Sequence, residues 1–146
     1  MTVGVQALVF RAGPHLAALA VEQVTEVMRP LPVEALAGAP PYVRGICVLR
    51  GRPAPVVDLG VLLGGGSGDG RAGRFVGVRT GDQPAAVSVD EIVGLRDLPL
   101  DLMYDLSSVA GPACASVGAV DGEPLLLLSA GRVVPAAVWD ALEAAA

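Results

Sequence analysis

The side chains with the clearest potential for chemistry are two charged residues, Arg50 and Asp58, in the stretch of residues 42–60. An arginine guanidinium can bind a carboxylate through two parallel hydrogen bonds, and an aspartate can cap the first turn of a helix. The composition of the stretch favours the ordinary interpretation. In that interpretation Arg50 is a turn residue and Asp58 caps the short apolar segment 59–63.

The histidine and cysteine residues of the chain give little reason to predict catalysis or metal binding. His15 is the only histidine, and Cys47 and Cys114 lie far apart, so the close ligand pairs of a zinc site are missing. No nucleophile is paired with a base. Two isolated cysteines in apolar surroundings are expected to be buried and reduced, although a disulfide stays open as an alternative. The sequence therefore predicts no enzyme, no metal and no cofactor.

The glycine-rich segment 63–73 contains the pattern G-x-G-x-x-G at Gly68, Gly70 and Gly73. A dinucleotide-binding fingerprint opens a helix, whereas residues 74–79 alternate like a strand. A Walker-type loop would need a lysine, and every basic residue of the chain is an arginine. Since glycine loses much backbone entropy on ordering, we expect a mobile surface loop here.

The composition limits the class of protein. With 146 residues, of which 53% are hydrophobic and 3% aromatic, the chain can bury an aliphatic core as one domain. A net charge of −5 argues against nucleic-acid binding, which needs clustered cations. No apolar run reaches the roughly 18 residues of a membrane span, and no export signal opens the chain. We therefore expect a cytoplasmic protein that does not span a membrane.

Hairpins are the main structural signal that would position these residues. Two apolar runs flank Arg50-Gly51, and Gly51 can take the positive φ that a tight turn requires. Pro53 and Pro55 lack amide donors and therefore suit a sheet edge or a strand start. Three further hairpins are predicted: residues 5–10 with 16–21, 75–79 with 85–89, and 117–120 with 125–128 around Asp121-Gly122.

Two segments between these hairpins are less regular. Residues 22–29 fit a helix, or a strand with a kink or bulge near Glu22, and we favour the kinked strand. Residues 32–37 predict a short helical turn, with a proline at its start and Gly38 at its end.

The last part of the chain predicts core contacts and a helix. Residues 134–146 predict a terminal amphipathic helix packed on the body. With about eight to ten short strands and little helix, the pattern predicts a mainly β protein of one or two small barrels or sandwiches. The side chains expected in the core are Leu98, Leu100, Leu102, Met103 and Leu106, and on the helix Val138, Trp139 and Leu142.

The order of these motifs resembles the CheW-like family of chemotaxis coupling proteins. The matching strings are Val24-Thr-Glu-Val, Tyr42-Val-Arg-Gly, LRGRPAPVVDL from Leu49, Val89-Asp-Glu-Ile-Val-Gly-Leu and the Asp121-Gly122 hairpin. The residues that carry the motif are Gly45, Leu49, Gly51, Pro55, Asp58, Asp121 and Gly122.

The resemblance implies one CheW-like domain, residues 1–146, built as two five-stranded SH3-like barrels that share a hydrophobic interface. It assigns residues 1–63 to a first barrel, 64–73 to the glycine-rich loop, 74–133 to a second barrel and 134–146 to a C-terminal helix.

The resemblance also implies a function and a site. CheW-like proteins are non-catalytic adaptors that join a CheA-type histidine kinase, through its CheW-like regulatory domain, to the cytoplasmic hairpin tip of chemoreceptors. Arg50 is expected to pair with Glu26 beside a receptor-binding groove between the barrels. The implied groove residues are Val24, Glu26, Val27 and Arg50 on one wall and Ala86, Val87 and Ile92 on the other.

The alternative function is the binding of a different partner. The glycine-rich loop and the alanine-rich composition depart from the family pattern, most of all in the second half. A diverged CheW-like scaffold could bind another helical partner or a small ligand outside chemoreceptor arrays.

Overall fold

The computed structural model describes residues 4–64, 73–99, 103–105, 114–134 and 136–145. Ten strands and three short helices lie in these ranges. The strands are β1 Gly4–Ala12, β2 His15–Ala20, β3 Val24–Met28, β4 Val43–Leu49, β5 Arg52–Asp58, β6 Arg74–Thr80, β7 Gln83–Val89, β8 Glu91–Pro99, β9 Cys114–Val120 and β10 Glu123–Leu128. The helices are α1 Leu59–Leu62, α2 Ala130–Val133 and α3 Ala136–Ala145.

The strands form two sheets of five. Sheet A has the order β8-β1-β2-β10-β9, and sheet B has the order β3-β6-β7-β5-β4. Each sheet is antiparallel except for one parallel pair, β2 with β10 in sheet A and β5 with β7 in sheet B. The fold is therefore mainly β, as the sequence predicts.

The two sheets do not follow the expected division of the chain. Residues 1–63 supply β1 and β2 to sheet A and β3–β5 to sheet B, and residues 74–133 likewise contribute to both sheets. The assignment of one barrel to each half is therefore corrected. The reason is the parallel pairing of β2 with β10, which returns the last hairpin to the sheet that the first hairpin began.

Three apolar clusters explain how the sheets become two packed barrels. Alternate residues of β1 enter different clusters: Ala7 and Val9 lie inside sheet A, whereas Leu8 and Phe10 face sheet B. Burying each large side chain contributes about 1.5–3 kcal/mol. The members that define the three clusters are Leu16, Ala18 and Leu125 inside sheet A, Leu49, Val56 and Phe75 inside sheet B, and Leu19, Val57 and Val87 between the sheets.

The hairpin turns have the geometry that their sequences predict. Arg50 and Gly51 have φ values of 51° and 78°, and Asp121 and Gly122 have φ values of 50° and 79°. Two consecutive positive φ values in a two-residue loop define type I′ turns, whose twist matches that of the flanking strands. Two of the four predicted hairpins thus turn through the same backbone conformation.

The prolines of β5 sit where the strand is paired on one side only. Pro53 and Pro55 are paired in register with residues of β4, whereas the parallel pairing of β5 with β7 begins only at Val56. In a two-residue hairpin, these positions are the non-hydrogen-bonded ones, so the missing amides face away from β4. The two prolines therefore lie at the start of β5, where the strand has a neighbour on one side only, as the sequence predicts.

Other local predictions divide into confirmed and corrected ones. The kinked strand is confirmed, because a short 3-10 turn at Val21–Gln23 precedes β3. The helical turn at 32–37 is wrong: Glu34 instead exchanges two backbone hydrogen bonds, of 2.9 and 2.8 Å, with Ile46 on the free side of β4. A nine-residue strand, β8, is present at Glu91–Pro99, where the sequence analysis predicts no strand.

The core predictions for the second half are confirmed where the structure describes them. Leu98 is buried, Met103 packs against the cluster inside sheet A, and α3 packs its apolar face on the cluster between the sheets. Cys47 is buried with a free thiol, and this burial raises its pKa. The described ranges leave out Leu100, Leu102, Leu106, residues 65–72 of the glycine-rich loop and the side chain of Cys114.

Candidate functional site

Arg50 and Glu26 form a two-pronged ion pair, as the family resemblance implies. Arg50 Nε donates to Glu26 Oε1 at 3.1 Å, and Arg50 Nη2 donates to Glu26 Oε2 at 3.2 Å. Glu26 lies on β3 and Arg50 follows β4, which are the two opposite edges of sheet B. Because the pair can form only where the edges come within reach of an arginine side chain, sheet B curls into a barrel whose mouth the pair spans.

Glu26 owes its position to a glycine on the neighbouring strand. The β3 register shifts between Val24 and Glu26, so that Glu26 lies opposite Gly77 of β6. A Cβ at Gly77 would lie 3.3 Å from Glu26 Cγ and 2.5 Å from Thr25 Oγ1. The bare face of Gly77 thus provides the space in which the Glu26 stem lies. Sequence reasoning missed Gly77, and its signal was a glycine inside an otherwise β-branched and aromatic strand.

Arg50 owes its position to the turn. Its positive φ is unfavourable for a residue with a Cβ and costs about 1 kcal/mol or more. The side chain is 73% exposed, while that of Glu26 is 29% exposed. The carboxylate is therefore sheltered, and the guanidinium stands out from the barrel mouth where another molecule can reach it.

A cleft of about 320 Å³ opens beside this ion pair. It lies at the mouth of sheet B, between β3, the β4–β5 turn and the β6–β7 hairpin. The residues that line the cleft are Thr25, Glu26, Leu49, Arg50, Arg52, Val78, Arg79, Gly81, Asp82, Gln83 and Pro84.

The structure brings together only part of the expected groove. Val24 and Val27 share β3 with Glu26, but Val27 lies opposite Val76 on the other face of the strand, where it is 44% exposed. Ala86 and Val87 have no exposed surface, because β7 is the central strand of sheet B and has neighbours on both sides.

The expected second wall is therefore corrected at Ala86 and Val87. Ala86 faces the cluster inside sheet B and Val87 faces the cluster between the sheets, so neither side chain can contact a partner in this structure. Ile92 is half-buried on β8, in the other sheet, where it packs on the cluster between the sheets.

Comparison with known proteins identifies the family. The CheW-like domain family matches residues 6–138 of the chain. The chain belongs to the CheW-like family. Protein FrzA of Myxococcus xanthus is 36% identical over 95 residues, which cover 62% of this chain and 58% of FrzA. The chain thus aligns with little more than half of that relative.

The CheW-like fold is also found among solved structures. The crystal structure of the scaffolding protein TtCheW from Thermoanaerobacter tengcongensis superposes with a TM-score of 0.79 at 19% identity. The match covers 92% of this chain and 90% of TtCheW. The CheW-like family comprises scaffold and adaptor proteins of chemotaxis.

Three motif residues of this CheW-like chain have distinct structural roles. Gly45 has a φ of 143°, and a Cβ there would collide with the backbone carbonyl oxygen of Glu34. Leu49 is buried inside sheet B. Asp58 Oδ1 accepts a hydrogen bond from the Val61 amide at 3.2 Å and so caps α1, as the ordinary interpretation predicted.

A second ion pair lies on sheet A of the CheW-like fold. Arg11 Nη1 and Nη2 donate to Glu123 Oε2 and Oε1 at 2.7 and 2.8 Å. The side chains are 39% and 38% exposed. The hydrogen bond from Arg11 holds the pKa of the Glu123 carboxyl below its ordinary value, and the same contact raises the pKa of Arg11. The pair connects β1 to β10 across β2.

The described part of the CheW-like chain contains no cluster of three histidine, cysteine, aspartate or glutamate side chains placed to hold a metal ion. Within the same residues, every helix is too short or too polar to cross a membrane.

Proposed function

We propose that this CheW-like protein is a non-catalytic adaptor that couples the cytoplasmic hairpin tip of chemoreceptors to a CheA-type histidine kinase. The observation that supports the proposal most directly is the Arg50–Glu26 pair at the exposed mouth of sheet B. We expect the protein to act in the cytoplasm, because the kinase and the receptor tip are cytoplasmic in CheW-like systems.

The energetics of the pair favour a role in recognition. An exposed ion pair stabilises a fold by about 0–1 kcal/mol, which no more than offsets the cost of a positive φ at Arg50. Stability alone therefore gives little reason for an arginine at this turn. A guanidinium that is already oriented by Glu26 can instead offer its remaining N–H groups to a partner at a low entropic cost.

The surroundings of the pair suit a helical partner. Val27, which follows Glu26 on the β3 edge strand, presents apolar surface to solvent, and Val24 is half-buried on the same strand. A receptor helix could place apolar side chains on Val27 and polar groups on Arg50. The kinase domain would bind elsewhere, at the barrel ends, by analogy with the pairing of CheW-like domains into rings.

A pull-down with the source organism's kinase and receptor signalling fragments tests the proposal. Wild-type protein should bridge the two fragments. Arg50→Ala should weaken the receptor arm about tenfold or more, the effect of losing a charge-assisted contact, while kinase binding and the unfolding midpoint stay nearly unchanged.

Arg11→Ala is the matched control, because it removes a two-pronged arginine–glutamate pair from the other sheet. It should leave both fragments bound. If Arg50→Ala binds the receptor fragment as tightly as wild type, the role assigned to Arg50 is wrong. If wild-type protein binds neither fragment, the adaptor function is wrong and a diverged scaffold with another partner takes its place.

A further inference from the structure

Positive charge is concentrated around the cleft at the mouth of sheet B. Three arginines, Arg50, Arg52 and Arg79, line it, against two carboxylates, Glu26 and Asp82. The cleft thus carries a formal charge of about +1 at neutral pH, whereas the chain as a whole carries −5. A local positive potential in an acidic protein favours binding of a negatively charged group and selects the orientation in which it docks.

The three guanidiniums differ in how many of their donors are occupied. Arg50 uses two N–H groups on Glu26. Arg52 donates one long bond, 3.3 Å, to the backbone carbonyl oxygen of Asp82. Arg79 makes no side-chain hydrogen bond or ion pair with any residue in the described ranges. Its five donors, in a planar fork that matches a carboxylate, are therefore available to a ligand.

The strand geometry turns Arg79 toward the cleft. Side chains alternate along β6, so Arg79 shares a face with Phe75 and Gly77. Phe75 belongs to the cluster inside sheet B, and Gly77 lies beneath Glu26. Arg79 therefore continues the inner face of the barrel to its mouth.

The floor and size of the cleft limit what it can hold. Leu49 and Pro84 give it an apolar part, and Pro84 lies directly opposite Arg79 in the β6–β7 ladder. A volume of about 320 Å³ accommodates one or two long side chains but not a helix. The ligand group that suits it has an apolar stem and an anionic end, which describes a glutamate side chain.

We propose that Arg79, assisted by Arg52, binds a glutamate carboxylate presented by the receptor helix that docks on the β3 edge. This inference deepens the proposed function, because it names the chemistry by which the partner is recognised. Arg50, which is oriented by Glu26, then offers its remaining N–H groups to polar groups of the partner, and Arg79 contacts the partner's charge.

A titration that does not depend on any receptor tests the carboxylate site first. The full chain, labelled with ¹⁵N, is titrated with a capped helical peptide carrying two glutamates, and in parallel with its glutamine counterpart. The side-chain Nε–H signals of Arg79 and Arg52 should shift with the glutamate peptide alone, and the shifts should shrink as salt is added. Unmoved signals, or equal shifts with both peptides, would overturn the proposal.

Binding to the receptor signalling fragment tests the assignment to that partner. Arg79→Gln should weaken receptor binding about tenfold, and Arg79→Glu should weaken it further, with kinase binding unchanged. Arg96→Gln is the control, because Arg96 is an exposed arginine on β8 of the other sheet. It should bind within about twofold of wild type, the range expected of a distant exposed charge.

The outcomes separate this inference from the proposed function. If Arg79→Gln binds the receptor fragment like wild type, or loses only kinase binding, the inference is wrong and the adaptor function stands. If wild-type protein binds no receptor fragment, the adaptor function and the receptor assignment both fail, and the peptide titration alone then decides whether the carboxylate site exists.

Discussion

Two arginine–glutamate pairs, one on each sheet, make the same kind of contact at different places in the strand order. Arg11 and Glu123 meet at 2.7 and 2.8 Å across β2, within a sheet that is already joined strand to strand. Arg50 and Glu26 meet at 3.1 and 3.2 Å between two edge strands that are not neighbours in sheet B. The first pair reinforces an existing ladder, and the second spans an opening.

The exposure of the partners differs in a way that bears on function. In the sheet A pair both side chains are sheltered to the same degree, whereas in the sheet B pair the guanidinium is far more exposed than the carboxylate. A symmetric, shorter pair suits a structural contact. An asymmetric pair on a strained turn suits a surface that a partner completes. Sheet B can depend on its backbone pairing or on this ion pair, and substitutions at each of them distinguish the two.

Gly45→Ala should have the largest effect, because it disrupts the backbone pairing that extends sheet B beyond β4. The new Cβ would collide with the carbonyl oxygen of Glu34 and break the bridge between Glu34 and Ile46. A clash with backbone at a positive φ costs about 3 kcal/mol or more. Chemical denaturation should show a loss of that size in the free energy of unfolding.

Gly94→Ala provides the matched control for this clash. Gly94 has a φ of 144°, nearly that of Gly45, but a Cβ there meets no atom within 4 Å. The difference between the two variants therefore measures the collision alone. If both variants lose the same stability, backbone strain and not the Glu34 contact explains the glycine at position 45.

Local features of the sequence were sufficient to predict the turns, but not the ion pair. Arg50-Gly51 and Asp121-Gly122 fix their hairpins through φ preferences that act within two residues. The Arg50–Glu26 contact joins residues 24 positions apart, and the family resemblance supplied it. Composition or spacing alone would have left Arg50 an ordinary turn residue.

The features that the sequence did not reveal depend on contacts between distant strands. The parallel pairing of β2 with β10 sorts the strands into sheets, and no local signal marks it. Ala86 and Val87 match the motif by position, but their burial follows from the central place of β7. Gly77 acquires its role only through the register that sets it opposite Glu26.

Arg50→Asn should separate stability from recognition at the sheet B turn. Asparagine tolerates a positive φ better than arginine, and Asn-Gly is a favoured type I′ sequence. We expect the free energy of unfolding to rise by about 0.5–1 kcal/mol, because relief of backbone strain exceeds the loss of an exposed pair. Receptor binding should fall as it does in Arg50→Ala.

The opposite exchange in sheet A checks this reasoning. Asp121 occupies the same position in the β9–β10 turn, with a φ of 50°. Asp121→Arg should lower the free energy of unfolding by about the same 0.5–1 kcal/mol. A stability loss in Arg50→Asn would show instead that the ion pair contributes more than the turn costs.

The smallest expected effect concerns the sheet A pair, whose contribution to the free energy of unfolding should be lost in acid. Arg11 lowers the pKa of Glu123 below its ordinary value of 4.5, so the folded state binds fewer protons than the unfolded state near that pH. The stabilisation is therefore complete above pH 4.5 and is lost as the pH falls through the lowered pKa, while Arg11 stays charged. Denaturation midpoints of wild type and Arg11→Ala should differ at pH 7 and converge as the pH falls through the lowered pKa of Glu123. Glu123→Gln should converge with wild type over the same range, and a difference that is constant with pH in both variants would show that Arg11 and Glu123 stabilise the sheet through packing alone.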